Sequence, residues 1–323
     1  MATLEFKVFA AFDQLLPDPT KTLVVGVSGG ADSMALTLLA SAYAKLKGYG
    51  LQAVTIDHQL RPESTAEAQV VGQTLASVGI AHQTLIWNHD GNVNRRHERA
   101  RAARYQLLVD FCKLHHNPVL LTAHHKQDQV ETILMRFLKG SGPAGFQCVQ
   151  ASRIQDGVAI IRPLLVVKPE ELRSYLKSND ISWIEDPSNN DAAYERTRVR
   201  QLLTHMSELG WGQDGMLTSA AKVYEQHADF ESLIAEYASA FVINDATLTV
   251  DQAAFFKCAE PMQRDWLRQQ IWQIGGADYP KPHATITAIL KMLKQPRVNG
   301  YRVAGCVINV DKGRICLMRT VAT

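Results

Sequence analysis

A doubly wound, mostly parallel α/β sheet followed by a smaller, mainly helical second domain is the fold class this sequence predicts. Three observations lead there. Between about residues 22 and 165, short β-branched runs alternate with longer segments whose apolar residues recur at three- and four-residue spacing. The short runs are apolar almost throughout, as strands covered on both faces must be. Beyond about residue 205 strand signals thin out and long amphipathic stretches take over.

In chain order the expected strands are TLVVGVS (22–28), LQAVTID (51–57), HQTLIW (82–87), PVLLTAH (118–124) and VAIIRPLL (158–165). Helices are expected near 33–47, 64–78, 95–116 and 127–139. Strands and helices in this alternation make βαβ units, and such sheets bind ligands beyond the carboxyl ends of their strands. The Gly-containing break HMSELGWGQDG then precedes helical stretches near 215–243, 260–274 and 283–294. The last segment, GYRVAGCVINVDKGRICLMR, reads as a hairpin turning at Asp311, Lys312 and Gly313. Two domains are expected, 1–210 and 211–323.

Composition narrows the class. A chain of 323 residues that is 46% hydrophobic and 20% charged has enough apolar surface for a buried core and is not disordered. Five scattered cysteines without a C-x-x-C pair give no zinc or iron–sulfur signature and suggest reduced thiols. The N-terminus lacks a basic segment followed by a clean apolar one, and no run approaches a membrane span, so a cytoplasmic protein with no membrane partner is expected. The net charge of +2 looks unpromising for nucleic acid until it is located. Residues 211–280 hold 4 basic and 10 acidic side chains, whereas 281–323 hold 8 and 1. Arg95, Arg96, Arg99, Arg101 and Arg104 crowd residues 94–105 against the single Glu98. An anionic polymer is therefore a reasonable partner, with Arg95, Arg99, Lys291, Lys294 and Arg297 as its candidate contacts.

The most specific motif is Ser28-Gly29-Gly30-Ala31-Asp32-Ser33, where a buried strand runs straight into a helix. Paired glycines let the backbone approach closely, and the helix start aims free N–H groups at an anion. It is a phosphate cradle, though without the Gly-Lys-Ser/Thr ending of one common loop or the Gly-x-Gly-x-x-Gly of another. Asp57 and His58 end the second strand at the same edge, where the carboxylate suits either a ribose or the capping of its own loop. Past the fourth strand come His124, His125, Asp128 and Glu131. The two acids lie three apart on one helix face, a spacing that can hold an ammonium ion or Mg²⁺, or simply favour the helix dipole. Arg196, Arg198 and Arg200 recur at alternate positions, so on a helix they cannot all face one ligand; Arg196 is taken as the substrate-facing member.

The loop SGGADS resembles that of the PP-loop, or N-type, ATP pyrophosphatases, which cleave ATP to AMP and pyrophosphate. DHQLRPES (57–64), RARAARY (99–105), TAHHKQDQVETILMRFLKGSG (122–142), IRPLL (161–165) and WIEDPSNNDAAYERTRVR (183–200) follow in order. Together they resemble the tRNA(Ile)-lysidine synthetase family, over most of residues 22–200 and more weakly beyond. The sequence departs from the family pattern at Gln59 (usually Gly), Phe146 (usually Leu) and Thr197 (usually Asn).

The resemblance implies an enzyme that activates the wobble cytidine of tRNA(Ile) bearing a CAU anticodon with ATP and attaches free L-lysine. It implies ATP on Ser28–Ser33 with Asp57 and His58, Mg²⁺ near Asp32, and His124 close to the nucleotide. Asp128 and Glu131 would grip the lysine, and Arg104 or Arg136 would face the developing charge. Arg196 would contact the tRNA. Longer relatives in this family carry a further C-terminal module, whose task is expected to fall to the basic tail, the first domain or a second copy of the chain in a homodimer.

Overall fold

The computed structural model describes residues 3–59, 62–88, 96–185, 193, 195–238, 242–244, 248–276 and 281–320. The chain divides into two compact units, 1–224 and 225–323.

The first unit opens with helix α1 (Leu4–Leu15), whose N-cap Thr3 accepts from the amide of Phe6. The sheet then builds through β1 (Thr22–Gly26), α2 (Ala31–Lys47), β2 (Gly50–Asp57), α3 (Ser64–Ser77), β3 (His82–Ile86), α4 (Arg96–Cys112), β4 (Pro118–Leu121) and α5 (Lys126–Leu138). β5 (Ser152–Gln155), β6 (Val158–Ile161), α6 (Pro169–Ser178) and α7 (Glu195–Glu208) complete it, and α8 (Gln213–Ala238) runs across the division. The strand order is β3-β2-β1-β4-β6-β5, all parallel except β5, which pairs antiparallel with β6 at the edge. The predicted parallel sheet is thus present.

Successive side chains of a strand face opposite ways, and the central strands β1, β2, β4 and β6 are covered on both faces. Leu23, Val25, Ala53 and Leu121 pack with Met34, Leu36, Leu39 and Tyr43 of α2 and with Phe12 of α1. Val24, Val54, Leu120 and Ile160 face the other way, onto Tyr105, Leu108, Val109 and Cys112 of α4. That two-sided burial is why the strands read as unbroken apolar runs. α2 stops where Gly48 takes a left-handed φ of 71°.

A smaller seam matters more for the site. Val130 and Leu134 of α5 pack against Val199 and Leu203 of α7, all four buried. Positions 196, 199, 200 and 203 share one stripe of α7, so this seam turns Arg196 and Arg200 toward α5.

The second unit combines helices with a sheet. β7 (Val242–Asn244), β8 (Thr249–Asp251), α9 (Gln252–Lys257), α10 (Glu260–Gly275), α11 (His283–Leu293), β9 (Val298–Val303), β10 (Cys306–Asp311) and β11 (Arg314–Arg319) form it, with antiparallel order β7-β8-β11-β10-β9. Its core gathers Trp266, Leu267, Ile271, Ile286, Leu290, Ile308, Val310 and Leu317. The predicted hairpin is β10–β11. Asp311 pairs with Arg314 across Lys312 (φ 50°) and Gly313 (φ 72°), and two left-handed residues in a two-residue loop match the twist of the strands. A mainly helical texture had been expected here; β7–β9 are too short or too polar to declare themselves locally. Among the described residues no helix is long and apolar enough to cross a membrane.

Candidate active site

Ser28, Gly29 and Gly30 join β1 to α2 at the carboxyl edge of the sheet, beside the β1/β4 neighbours from which the strand order runs in both directions. Gly29 has φ 85°, and a Cβ there would sit 2.8 Å from Val71 and 3.0 Å from Ile184, so only glycine fits. Its carbonyl accepts from the amide of Ile184 at 2.9 Å. Gly30 is the N-cap of α2 and supplies no side-chain cap, and the first intrahelical bond runs from Met34 to the Gly30 carbonyl. The amides of Ala31, Asp32 and Ser33 are left pointing out of the helix start. Ser33 Oγ accepts from the Ser28 amide at 3.1 Å and donates to the Gly30 carbonyl at 2.9 Å, which ties the two ends of the loop together. The cradle fits a polyphosphate.

Asp32, in the first turn of α2, leads into a chain of polar contacts. His125 Nε2 lies 3.4 Å from Asp32 Oδ2, and His125 Nδ1 lies 3.6 Å from Asp128 Oδ2. The His125 amide donates to Asp128 Oδ2 at 2.8 Å, capping α5. Burial would lower the His125 pKa, but the Asp32 and Asp128 carboxylates outweigh it and hold the ring's pKa above its ordinary value. Burial would likewise raise that of Asp128, yet His125 and Arg196 keep it below the usual carboxylate range.

The carboxylate pair is occupied. Arg196 donates from Nη2 to Asp128 Oδ1 and from Nε to Glu131 Oε2. Arg200 Nε donates to Glu131 Oε1 at 2.6 Å. The Glu131 side chain has no exposed surface at all, against 11% for Asp128. Two expectations change. Arg196, taken to face tRNA, spans the two carboxylates instead, because the α5–α7 seam turns it inward. Glu131, taken to grip lysine, is fully buried and held at both oxygens, so it positions the arginines. Arg198 points elsewhere, donating to the Ala193 carbonyl at 2.9 Å, as two-residue spacing on a helix requires.

Asp57 is also redirected. Its Oδ1 accepts from the Gln59 amide at 2.9 Å and from Ser64 Oγ at 2.7 Å, and Oδ2 accepts from Thr65 Oγ1 at 2.6 Å. Burial opposes ionisation, but these three donors hold the carboxyl below its ordinary pKa. Of the two roles open to this carboxylate, loop capping is the one these bonds show. His58 stacks edge-on against Trp87, ring centroids 5.8 Å apart. Gln59 has φ 49°, the left-handed conformation that explains why glycine is usual there.

Arg136 was expected to face developing charge. It donates instead to the carbonyls of Gly145 and Gln147, at 2.8 and 2.5 Å, and so fastens the loop after α5. Phe146 in that loop lies 6.4 Å from the Phe137 ring. Thr197 is buried on α7. His124 lies beside Thr122, Oγ1 to Nδ1 3.2 Å. Burial, aided by Arg162, Arg101 and Arg104, pushes its pKa down to about 3, so at neutral pH the ring is uncharged. Arg104 is half-buried on α4, its guanidinium carbon 5.5 Å from the Tyr105 ring centroid. Arg99 is half-buried on the same helix, and Arg95 and Arg61 lie outside the described residues. In the second unit Lys291, Lys294 and Arg297 are exposed, with Lys294 Nζ 5.7 Å from the Phe256 ring.

His125 and Arg200, named from the sequence without a role of their own, are both part of this arrangement. The His-His pair at a strand end and the four-residue spacing of Arg196 and Arg200 were the available signals.

Asp32 offers a half-exposed carboxylate at the mouth of the cradle. One carboxylate plus substrate phosphates is a sufficient protein contribution for Mg²⁺, so the residues fit that ion.

A parallel sheet with a glycine phosphate loop after its first strand and acidic and basic groups after its fourth defines a PP-loop ATP-binding enzyme. A family model described as a PP-loop domain matches residues 4–206. The chain is 32% identical over 303 residues to the tRNA(Ile)-lysidine synthase of Ruegeria pomeroyi, covering 93% of this chain and 71% of that one. It is 30% identical to the protein of that name from Rickettsia bellii, covering 92% and 69%, and 41% identical to the one from Orientia tsutsugamushi, covering 61% and 44%. The chain belongs to the tRNA(Ile)-lysidine synthase family. It spans between 44% and 71% of the length of these three relatives. A solved structure of the U34-tRNA thiolase NcsA from Methanococcus maripaludis with its [4Fe-4S] cluster is 15% identical, with TM-score 0.56 over 68% of this chain and 79% of that one, a likeness of fold.

Proposed function

We propose that the protein joins L-lysine to C2 of the wobble cytidine in tRNA(Ile) bearing a CAU anticodon, at the expense of ATP. The observation that carries this reading is the continuous line of contacts from Asp32 through His125 to Asp128, which puts a phosphate loop and a carboxylate for a cationic amine on one sheet edge. The family membership supplies the RNA.

The oxygen at C2 of cytosine is a poor leaving group. Its attack on the α-phosphate of ATP expels pyrophosphate and makes an adenylated cytidine; attack of the lysine ε-amine at C2 then expels AMP, and the amine loses its proton. Chemistry of this kind depends on positioning and charge stabilisation more than on an enzyme nucleophile. The amides of Ala31, Asp32 and Ser33 hold the polyphosphate. Asp32 would hold Mg²⁺, and the ion when bound would supply neutralising charge to the phosphates. The neutral His124 ring orients the α-phosphate without adding charge, and Arg104 meets the charge that develops there. Lysine reaches Asp128 by exchanging its ammonium for the Arg196 guanidinium, while Glu131 and Arg200 keep the far side of the pair fixed.

In this reading residues 1–210 are the catalytic domain and residues 211–323 an accessory tRNA-binding domain of a cytoplasmic enzyme, with Lys291, Lys294 and Arg297 as phosphate contacts. The test is pyrophosphate release with tRNA present. Asp32→Ala should abolish it, and turnover at the wild-type rate would refute the role of the loop.

A further inference from the structure

Four arginines converge on one buried tyrosine. The guanidinium carbons of Arg101, Arg104 and Arg153 lie 5.4, 5.5 and 4.7 Å from the Tyr105 ring centroid. Arg162 joins them from the end of β6. Arg153 pairs with Ile160 across the β5–β6 ladder, so Arg153, Ile160 and Arg162 share one face of the sheet, the face that α4 covers. Only Arg104 of these was anticipated as a charge contact.

Among the described residues none of the four makes a salt bridge to a carboxylate, whereas Arg196 and Arg200 in the same unit are paired. Arg162 is only 5% exposed, donates one Nη to the Gln150 carbonyl at 2.6 Å and leaves its buried Nε without a partner. Arg153 donates to Gln155 at 2.8 Å, and its buried Nε is likewise unpartnered. Arg162 is buried, Arg104 and Arg153 are half-buried and Arg101 is exposed; like charges so close together repel, and the aromatic ring offsets only part of that. Guanidinium forks whose N–H donors are not all taken up match the oxygens of a phosphate. Burial would raise the Tyr105 pKa, yet the surrounding arginines lower it, which reports a positive potential where they meet.

We propose that Arg101, Arg104, Arg153 and Arg162 form a second phosphate-binding subsite, separate from the glycine loop, between α4 and the β5–β6 edge. Its positive charge reaches His124, whose pKa burial lowers first and Arg162, Arg101 and Arg104 lower further. Its ligand is a phosphate group, carried either by the RNA strand or by the nucleotide. The subsite requires only that a phosphorylated ligand reach this edge and does not depend on lysine being the other substrate.

Two measurements test it. In the wild-type protein, phenylglyoxal modification of Arg101 and Arg153 is read by peptide mass spectrometry, alone and with an anticodon stem-loop RNA, with ATP or with pyrophosphate. Protection at least threefold by RNA assigns the site to a phosphodiester, and protection by ATP or pyrophosphate assigns it to the nucleotide. Separately, an Arg101→Gln, Arg153→Gln double variant should bind the protecting ligand at least tenfold more weakly, with a shallower salt dependence if that ligand is RNA. An Arg101→Lys, Arg153→Lys variant should recover part of the loss. Unprotected arginines with all three ligands, or wild-type affinity for all three in a double variant that melts normally, would overturn the proposal.

Discussion

Arg200 Nε lies 2.6 Å from Oε1 of Glu131, a carboxylate with no exposed surface, while Arg196 takes the other oxygen. Removing one partner of a buried pair leaves a charge stranded and costs about 3–5 kcal/mol. Arg200 is itself 34% exposed, so water recovers part of this. Arg200→Ala should therefore lower stability by about 2 kcal/mol in urea denaturation. Arg198→Ala, which removes an exposed contact to the Ala193 carbonyl, should cost less than about 0.5 kcal/mol.

Asp128 retains a little exposed surface beside Arg196, and Glu131 does not. Asp128→Asn keeps the shape and the cap on α5 but removes the charge that would attract a lysine ammonium. The lysine KM should rise about tenfold or more while the ATP KM changes less than about threefold. Equal effects on both substrates would remove Asp128 from the lysine site.

Gln59 has φ 49° in a loop anchored by its own amide on Asp57. A non-glycine residue there costs about 1–2 kcal/mol, and glycine gives back part of that gain as chain entropy. Gln59→Gly should raise stability by about 0.5 kcal/mol, and the β-branched Gln59→Val should lower it, as read by thermal melting.

The acid side of the stability profile should carry the signature of His124. Its pKa is near 6.5 in the unfolded chain and is pushed down to about 3 in the fold. The unfolded state therefore takes up this proton first, and the contribution present above pH 6.5 is lost as pH falls toward 3. The slope from this group is at most about 1.4 kcal/mol per pH unit. His125, whose pKa is raised, acts in the opposite sense, contributing below pH 6.5 and fading as pH rises. Stability of wild type and His124→Asn, measured from pH 7 to 4, should differ by a flatter slope in the variant.

Local features were legible in the sequence. The glycine loop is contiguous, and Asp128 and Glu131 share a helix face by spacing alone. What stayed hidden depends on partners far along the chain. Arg196 meets Asp128 across 68 positions through the packing of Val130 and Leu134 on Val199 and Leu203. Asp57 finds Ser64 and Thr65 only once the β2–α3 turn has closed. The edge strand β5 carries Ile154 as its single apolar residue, and that side chain is exposed, so no hydrophobic pattern announces it.

The central claim is lysine transfer to a wobble cytidine, and one measurement meets it directly. The protein is incubated with ATP, Mg²⁺, labelled lysine and tRNA(Ile) transcripts carrying CAU or UAU anticodons. ATP-dependent label is expected in the CAU transcript alone. Label in neither transcript, or equal label in both, would contradict it.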